Sequence, residues 1–377
     1  MINKTDLAGL NEFDGRSGQV LSIYLDIDQS NPANLNRGFE LALRDQLRLI
    51  FESLTEETER HDFAANATRA TDFISKYAPG ARGLIVFSTS RGPMWAREIN
   101  VRTKTDVRWG NAAFIQPLVE VLDEHQGYAV VLADKTRGRI YTVHLGRIEK
   151  HSEVHALSSS RHVKTTGQDH LFSQSRFQRK ADEHTHTHLK RIAELLEDLL
   201  VAAPFERVVL AGSEEASREL FKIMPKWLGA KVIGLVVVST NATDQELLAA
   251  AEGIAERGER QFEAELVGRL IEESGNRRRA TTDTFEAIHA VNEKRVRWLM
   301  YAENTSVPGT RCHSCGALFG PDQTSCIYCN LSLDPIENIL PAAASLSLAS
   351  GASVEQLRGE AAEQLRSTGG LGAFLRY

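Results

Sequence analysis

A chain of 377 residues with 42% hydrophobic and 25% charged side chains has room for two or three domains and can bury their cores without disulfide staples. Its net charge of −6 speaks against a uniformly basic nucleic-acid binder, so any RNA contact has to rest on local clusters of cations. No apolar run approaches the roughly 20 residues of a membrane helix, and MINKTDLAGLNEFDG has neither an apolar core nor a cleavage pattern; a cytoplasmic protein without a membrane span is expected.

The first segment, residues 1–125, reads as an α/β domain. VLSIYLDI (20–27) has the β-branched character of a strand. Phe39, Leu43, Leu47, Ile50, Phe51 and Leu54 recur at helical spacing, and GLIVFST (83–89) is a second strand, with a turn at Gly92-Pro93. The second segment, 126–202, opens with YAVVLADKTRGRIYTVHLGRI, two strand patterns around a polar hinge at 134–138, hence a β-hairpin. Residues 158–174 lack a period and read as a loop. A helix from about Ser175 to Leu200 follows, striped by Leu189, Ile192, Leu195, Leu196, Leu199 and Leu200. The third segment, 203–377, continues the alternation: strand RVVLAGS (207–213), helix 215–228, strand 231–239, then a long charged helix from Asp244 to Glu273. The run Val232 to Val238 reads as a buried strand. The fold class expected is α/β, as three α/β domains with mixed sheets.

All four cysteines lie in the third segment, as Cys312-His-Ser-Cys315 and Cys326-Ile-Tyr-Cys329, ten residues apart. Two such pairs supply four thiolates to one tetrahedral Zn²⁺, and a zinc ribbon over 311–330 is expected. Free thiols or a redox C-x-x-C are the alternatives. Gly316 and Asn330 follow the two pairs, and both residue types tolerate the left-handed backbone of a knuckle turn. Four protein ligands leave no position open for water, so the zinc would staple and not catalyse. His184 and His188, with His186 between them, have i, i+4 metal spacing, but a partly charged, solvated or RNA-facing helix face is the favoured reading since no third ligand is evident.

The polar loop reads HVKTTGQDH (162–170), with Phe172 and Phe177 after it. Arg161, Lys164, Arg176, Arg179 and Lys180 gather around it in a chain that is acidic overall, a concentration suited to phosphate contacts. The two phenylalanines have the chemistry to stack on bases, though an aromatic near a helix start is more often core.

A strand pair, a basic loop carrying Gly-Gln and a basic helix together resemble the middle domain of the archaeal and eukaryotic class-one peptide-chain release factors. FERVVLAGS (205–213) resembles the start of that family's C-terminal domain, the four cysteines stand where archaeal members carry a zinc ribbon, and GGLGAFLRY (369–377) resembles the closing strand. The resemblance implies a factor of the ribosomal A site that meets rRNA and peptidyl-tRNA or P-site tRNA, acts as a monomer and is delivered by an elongation-factor-type GTPase. It assigns peptidyl-tRNA ester hydrolysis to a Gly-Gly-Gln loop, which corresponds here to Thr166, Gly167 and Gln168. Gln168 would position water and stabilise the developing oxyanion.

Two departures matter. Thr166 stands at the family's first loop glycine, where a β-branched residue restricts the backbone. The Asn-Ile-Lys-Ser stop-codon loop has no counterpart between residues 50 and 80; five acidic residues fall between Glu52 and Asp62 instead, a poor surface for reading mRNA. The expectation is therefore a codon-independent, release-factor-like rescue factor resembling Pelota and its bacterial relatives. A non-catalytic hibernation or surveillance factor in the same site is the alternative.

Overall fold

The computed structural model describes residues 19–90, 92, 94–156, 170–203, 205–275 and 279–377; between 170 and 181 it describes backbone alone. Contacts divide the chain into two compact units, Met1–Glu124 with Arg260–Tyr377, and His125–Glu259.

In the first unit, β1 (Val20–Asp26), β2 (Gly83–Thr89), β3 (Trp95–Ile99) and β4 (Asp106–Gly110) form an antiparallel sheet of order β3-β2-β1-β4. The expected strands 20–27 and 83–89 are its two inner members, paired with Ile23 opposite Val86. Helices α1 (Gly38–Ser53) and α2 (Glu57–Lys76) bury Phe39, Leu43, Phe63, Ala70 and Ile74 against Leu21, Ile23 and Leu25. Asn36 and Arg37 enter α1 with left-handed φ of 52° and 63°. That turn aims the Arg37 guanidinium at the carbonyls of Ile74 (2.7 Å) and Tyr77 (3.0 Å), so one side chain satisfies the open C-terminal end of α2. Helix α3 (Gln116–Glu124) belongs with the C-terminal part of the unit: Glu120 accepts from the Tyr301 hydroxyl (2.8 Å) and Asp123 from the Gln356 N–H (3.0 Å).

The second unit is built on one mixed sheet, β7-β6-β5-β8-β9, from β5 (Tyr128–Ala133), β6 (Arg137–His144), β7 (Arg147–His155), β8 (Val208–Gly212) and β9 (Val232–Val237). The hairpin expected over 128–148 is present and gains β7 as a third strand. Strands β8 and β9 join the same sheet in parallel, so hydrogen bonding carries across residue 202, where sequence reading divides the chain, and the unit ends at Glu259. Helix α4 (His170–Ala202) starts five residues before the expected Ser175. Its apolar stripe, Leu189, Ile192, Ala193, Leu196 and Leu200, packs on Ala129, Val131, Ile140, Val208 and Leu210. The expected helix 215–228 is broken at Pro225, which lacks an N–H and ends the run, giving α5 (Glu214–Ile223) and α6 (Lys226–Gly229). Strand β9 is not buried as its apolar run suggests: it is the sheet's last strand, with Leu235 and Val237 exposed. Helix α7 (Asp244–Gly275) runs across the division between the units.

The rest of the first unit holds a second mixed sheet, β10-β16-β11-β15, from β10 (Ala280–Thr281), β11 (Val296–Ala302), β15 (Ser353–Leu357) and β16 (Leu371–Leu375). The closing strand expected in GGLGAFLRY is β16, antiparallel to β11. Helices α8 (Thr284–Asn292), α9 (Leu340–Ala349) and α10 (Gly359–Arg366) pack around it. Between β11 and α9 lies a small antiparallel sheet, β13-β12-β14, made of β12 (Gly309–Cys312), β13 (Leu318–Phe319) and β14 (Leu333–Ile336).

Candidate functional sites

The small sheet carries the four cysteines. The two C-x-x-C turns repeat one geometry. The N–H of Gly316 donates to the Cys312 carbonyl and that of Asn330 to the Cys326 carbonyl, both at 2.8 Å. Each turn then closes as the first cysteine's N–H donates to the residue five positions on, Ala317 (2.9 Å) or Leu331 (2.8 Å). Gly316 and Asn330 sit at φ of 76° and 57°, the left-handed backbone expected of them. The turns bring all four sulfur atoms within 4.8 Å of one another. Cys312 and Cys329 are 3.4 Å apart, Cys315 and Cys326 3.5 Å, and Cys315 and Cys329 3.9 Å. A disulfide requires about 2.05 Å. A tetrahedron of thiolates about 2.3 Å from a zinc ion has edges of about 3.8 Å, so these four atoms fit a divalent metal and not a disulfide pair.

The electrostatics agree. The backbone N–H of Cys315 pulls the Cys312 thiol down to about 6, aided by Ser314 N–H and the Cys329 thiol. Cys329 is helped by the Leu331 N–H, yet hydrogen bonding to Cys312, burial and the thiols of Cys326 and Cys315 drive it up to about 12. The Cys312 thiolate is favoured, and Cys315 and Cys329 resist ionising beside it. A bound dication removes that conflict, because metal binding displaces the remaining protons.

The basic residues singled out from sequence fall in the connection between β7 and α4 and in the start of α4. Arg161, Lys164, Thr166, Gly167 and Gln168 lie outside the described residues. Arg176, Arg179 and Lys180 fall in the first turns of α4, where the backbone is described and the side chains are not.

On the strand side of that connection, hydrogen bonds close the β5–β6 turn and tie it to the end of β7. Asp134 holds the β5–β6 turn with one carboxylate oxygen, which accepts from the N–H of Thr136 (2.6 Å), the Thr136 hydroxyl (2.9 Å) and the N–H of Arg137 (2.7 Å). Burial pushes this carboxyl up, but the donors of Thr136 and Arg137 outweigh it and leave the pKa below the usual carboxylate value. The same turn binds the end of β7: the N–H of Ala156 donates to the Thr136 carbonyl at 2.7 Å. Arg139 donates to the Thr240 carbonyl, and Lys135 pairs with Glu215 at 2.8 Å. On the helix side, α4 comes so close to β6 at Gly138 that a Cβ there would lie 2.3 Å from Cδ1 of Ile192.

Of the three histidines on the face expected to be solvated or RNA-facing, two are open and one is not. His184 and His186 are exposed, with His186 3.9 Å from Glu219, whereas His188 is buried next to the Leu189–Ile192 stripe. Burial lowers the His188 pKa, partly offset by the Arg137 backbone and the Asp134 charge. Since His184 is exposed and His188 is not, the pair shares no open metal face.

Residues 114–256 match the model of bacterial archaeo-eukaryotic release factor family 10. The match spans all five strands of the central sheet together with the β7–α4 connection. Among curated proteins, the uncharacterized protein YocB of Bacillus subtilis (strain 168) is 23% identical over 240 residues, covering 62% of this chain and 90% of its own. Among solved structures, an archaeal translation termination factor is 15% identical, covering 100% of this chain and 99% of its own, with a TM-score of 0.29. Dom34 of S. cerevisiae, a translation termination-like factor involved in RNA quality control pathways, is 11% identical, covering 78% and 80%, with a TM-score of 0.42. These superpositions are loose, and the weight rests on the family match.

Proposed function

We propose that this release-factor-like chain occupies the ribosomal A site without reading a codon and promotes hydrolysis of the peptidyl-tRNA ester through Gly167 and Gln168. The family match over 114–256 carries this reading, because it takes in the connection that holds Thr166-Gly167-Gln168 together with the strands and helix that root it. The rooting supports it physically. Ester cleavage by positioned water depends on placing one side chain to within about 1 Å, and a turn tied by a carboxylate plus a helix packed over Gly138 supplies a firm base. Arg161, Lys164, Arg176, Arg179 and Lys180 would meet rRNA or tRNA phosphates. We assign structural zinc to Cys312, Cys315, Cys326 and Cys329, since the sulfur spacing fits it and four ligands leave no catalytic position. Delivery by an elongation-factor-type GTPase is part of the same proposal.

The test is single-turnover peptide release from peptidyl-tRNA on ribosomes with a sense codon in the A site. Wild-type protein should release peptide, and Gln168→Ala should slow release by about 100-fold or more with binding nearly intact, as for a group that acts in the transition state. A second reading is favoured by one observation: Thr166 occupies the place of the first loop glycine. If wild-type protein binds and releases nothing, and Thr166→Gly restores no activity, the chain is a silent occupant of the hibernation or surveillance kind.

A further inference from the structure

Four exposed large apolar side chains gather on the cysteine ribbon and the helix beside it. Ile327 and Tyr328, between the last two cysteines, are 54% and 48% exposed; Leu331 is 46% exposed and Phe285, at the start of α8, 48%. Tyr328 and Phe285 are bridged by Phe319 and Gly320, and Ile327 and Leu331 lie beside Tyr328 in the knuckle. The Tyr328 ring lies 6.0 Å from that of Phe319, and a Cβ on the next residue, Gly320, would stand 3.0 Å from the Phe285 ring. Isolated exposed apolar residues are ordinary, but a connected strip of them marks an interaction surface. Two of the four sit inside a knuckle whose backbone is fixed by the Asn330–Cys326 and Cys326–Leu331 hydrogen bonds. A backbone held this way has little freedom left to lose on binding.

The charge around the strip selects the partner. Between Gly309 and Asn338 the acidic residues Asp322, Asp334 and Glu337 are all exposed, against one permanently charged cation, Arg311, and one histidine, His313. A divalent ion held by four thiolates leaves the knuckle more negative still. Such a surface repels phosphate and attracts lysine and arginine. We propose that the strip of Phe285, Tyr328, Ile327 and Leu331 is a docking surface for a partner protein, taken through a basic segment that also carries apolar side chains. The proposal does not depend on the ribosomal reading, since it concerns a face whose charge is opposite to that of the β7–α4 connection.

The experiment uses the full, metal-loaded chain. Probes are a fluorescent synthetic peptide of alternating lysine and leucine, its glutamate-for-lysine counterpart and a single-stranded oligonucleotide. The Ile327→Ser, Tyr328→Ser double variant should weaken binding of the basic peptide about 10-fold or more, the equivalent of about 1.4 kcal/mol. Asp322→Lys with Asp334→Lys should weaken it as well. Leu41→Ser with Leu49→Ser, exposed leucines of α1, should leave it unchanged. If the knuckle variant loses metal, Phe285→Ser decides, as it lies outside the knuckle. Equal peptide affinity in the strip variants and wild type would overturn the proposal. So would an equal loss in the α1 control, or an oligonucleotide affinity that the strip variants lower.

Discussion

Removing the Asp134 carboxylate should loosen the strand side of the candidate catalytic connection. In Asp134→Ala three donors, the N–H groups of Thr136 and Arg137 and the Thr136 hydroxyl, lose one common acceptor. A hydrogen bond to a charged group contributes about 1.5–3 kcal/mol, but this turn is partly exposed and water replaces some of the loss, so about 2 kcal/mol is expected. In a unit of this size that corresponds to a Tm lower by roughly 5–10 °C, read by near-UV circular dichroism or calorimetry. The pH dependence has a definite sign. The folded pKa of Asp134 lies below its unfolded value, so its stabilisation is fully present above the unfolded value of about 3.9 and disappears as pH falls through the folded pKa. The gap between wild type and Asp134→Ala should be full at pH 6 and shrink progressively below pH 4. Asp134→Asn, which keeps an acceptor oxygen, should recover part of it. An alanine variant that melts with wild type at pH 6, or a gap that widens on acidification, would refute the role given to the carboxylate.

Elemental analysis should find one zinc per chain, and Cys329→Ser should lose it and destabilise the ribbon, whose small core of Cys312, Ala317, Phe319 and Cys326 is built around the metal ligands; full stability without metal would contradict the site. Gly138→Ala should cost about 1–3 kcal/mol in chemical denaturation, because its Cβ needs space held by the fully buried Ile192. Arg37→Ala should lower the stability of the N-terminal sheet and helices by about 1–3 kcal/mol by uncapping α2, detectable as reduced amide-exchange protection near Ile74.

Legibility in the sequence followed burial and local backbone demands. Strands 20–26 and 83–89 are buried nearly throughout, so their β-branched runs were unambiguous. The two knuckles could be read to the residue because Gly316 and Asn330 are types chosen for positive φ. β7, RIEKHSEVH, is not legible as a strand because much of it faces solvent, which leaves no apolar alternation. The apolar run of β9 looked buried because composition reports hydrophobicity and not position in a sheet; being last in the order left Leu235 and Val237 exposed. The extent of the central unit depends on parallel pairing of β5 with β8, a contact between segments about 80 residues apart that no local pattern encodes. Of the candidate sites, the cysteine cluster was legible because its ligands are close in sequence. The Asp134 turn was visible only as a polar hinge, since its role lies in hydrogen bonds to its own backbone.

Sedimentation with purified ribosomes tests the central proposal most directly. Wild-type protein should co-sediment at low salt, with an affinity that falls steeply and log-linearly as salt rises, and Arg176→Ala with Arg179→Ala should reduce both affinity and slope. Absence of co-sedimentation at low salt, with empty, tRNA-bearing and peptidyl-tRNA-bearing ribosomes alike, would contradict it.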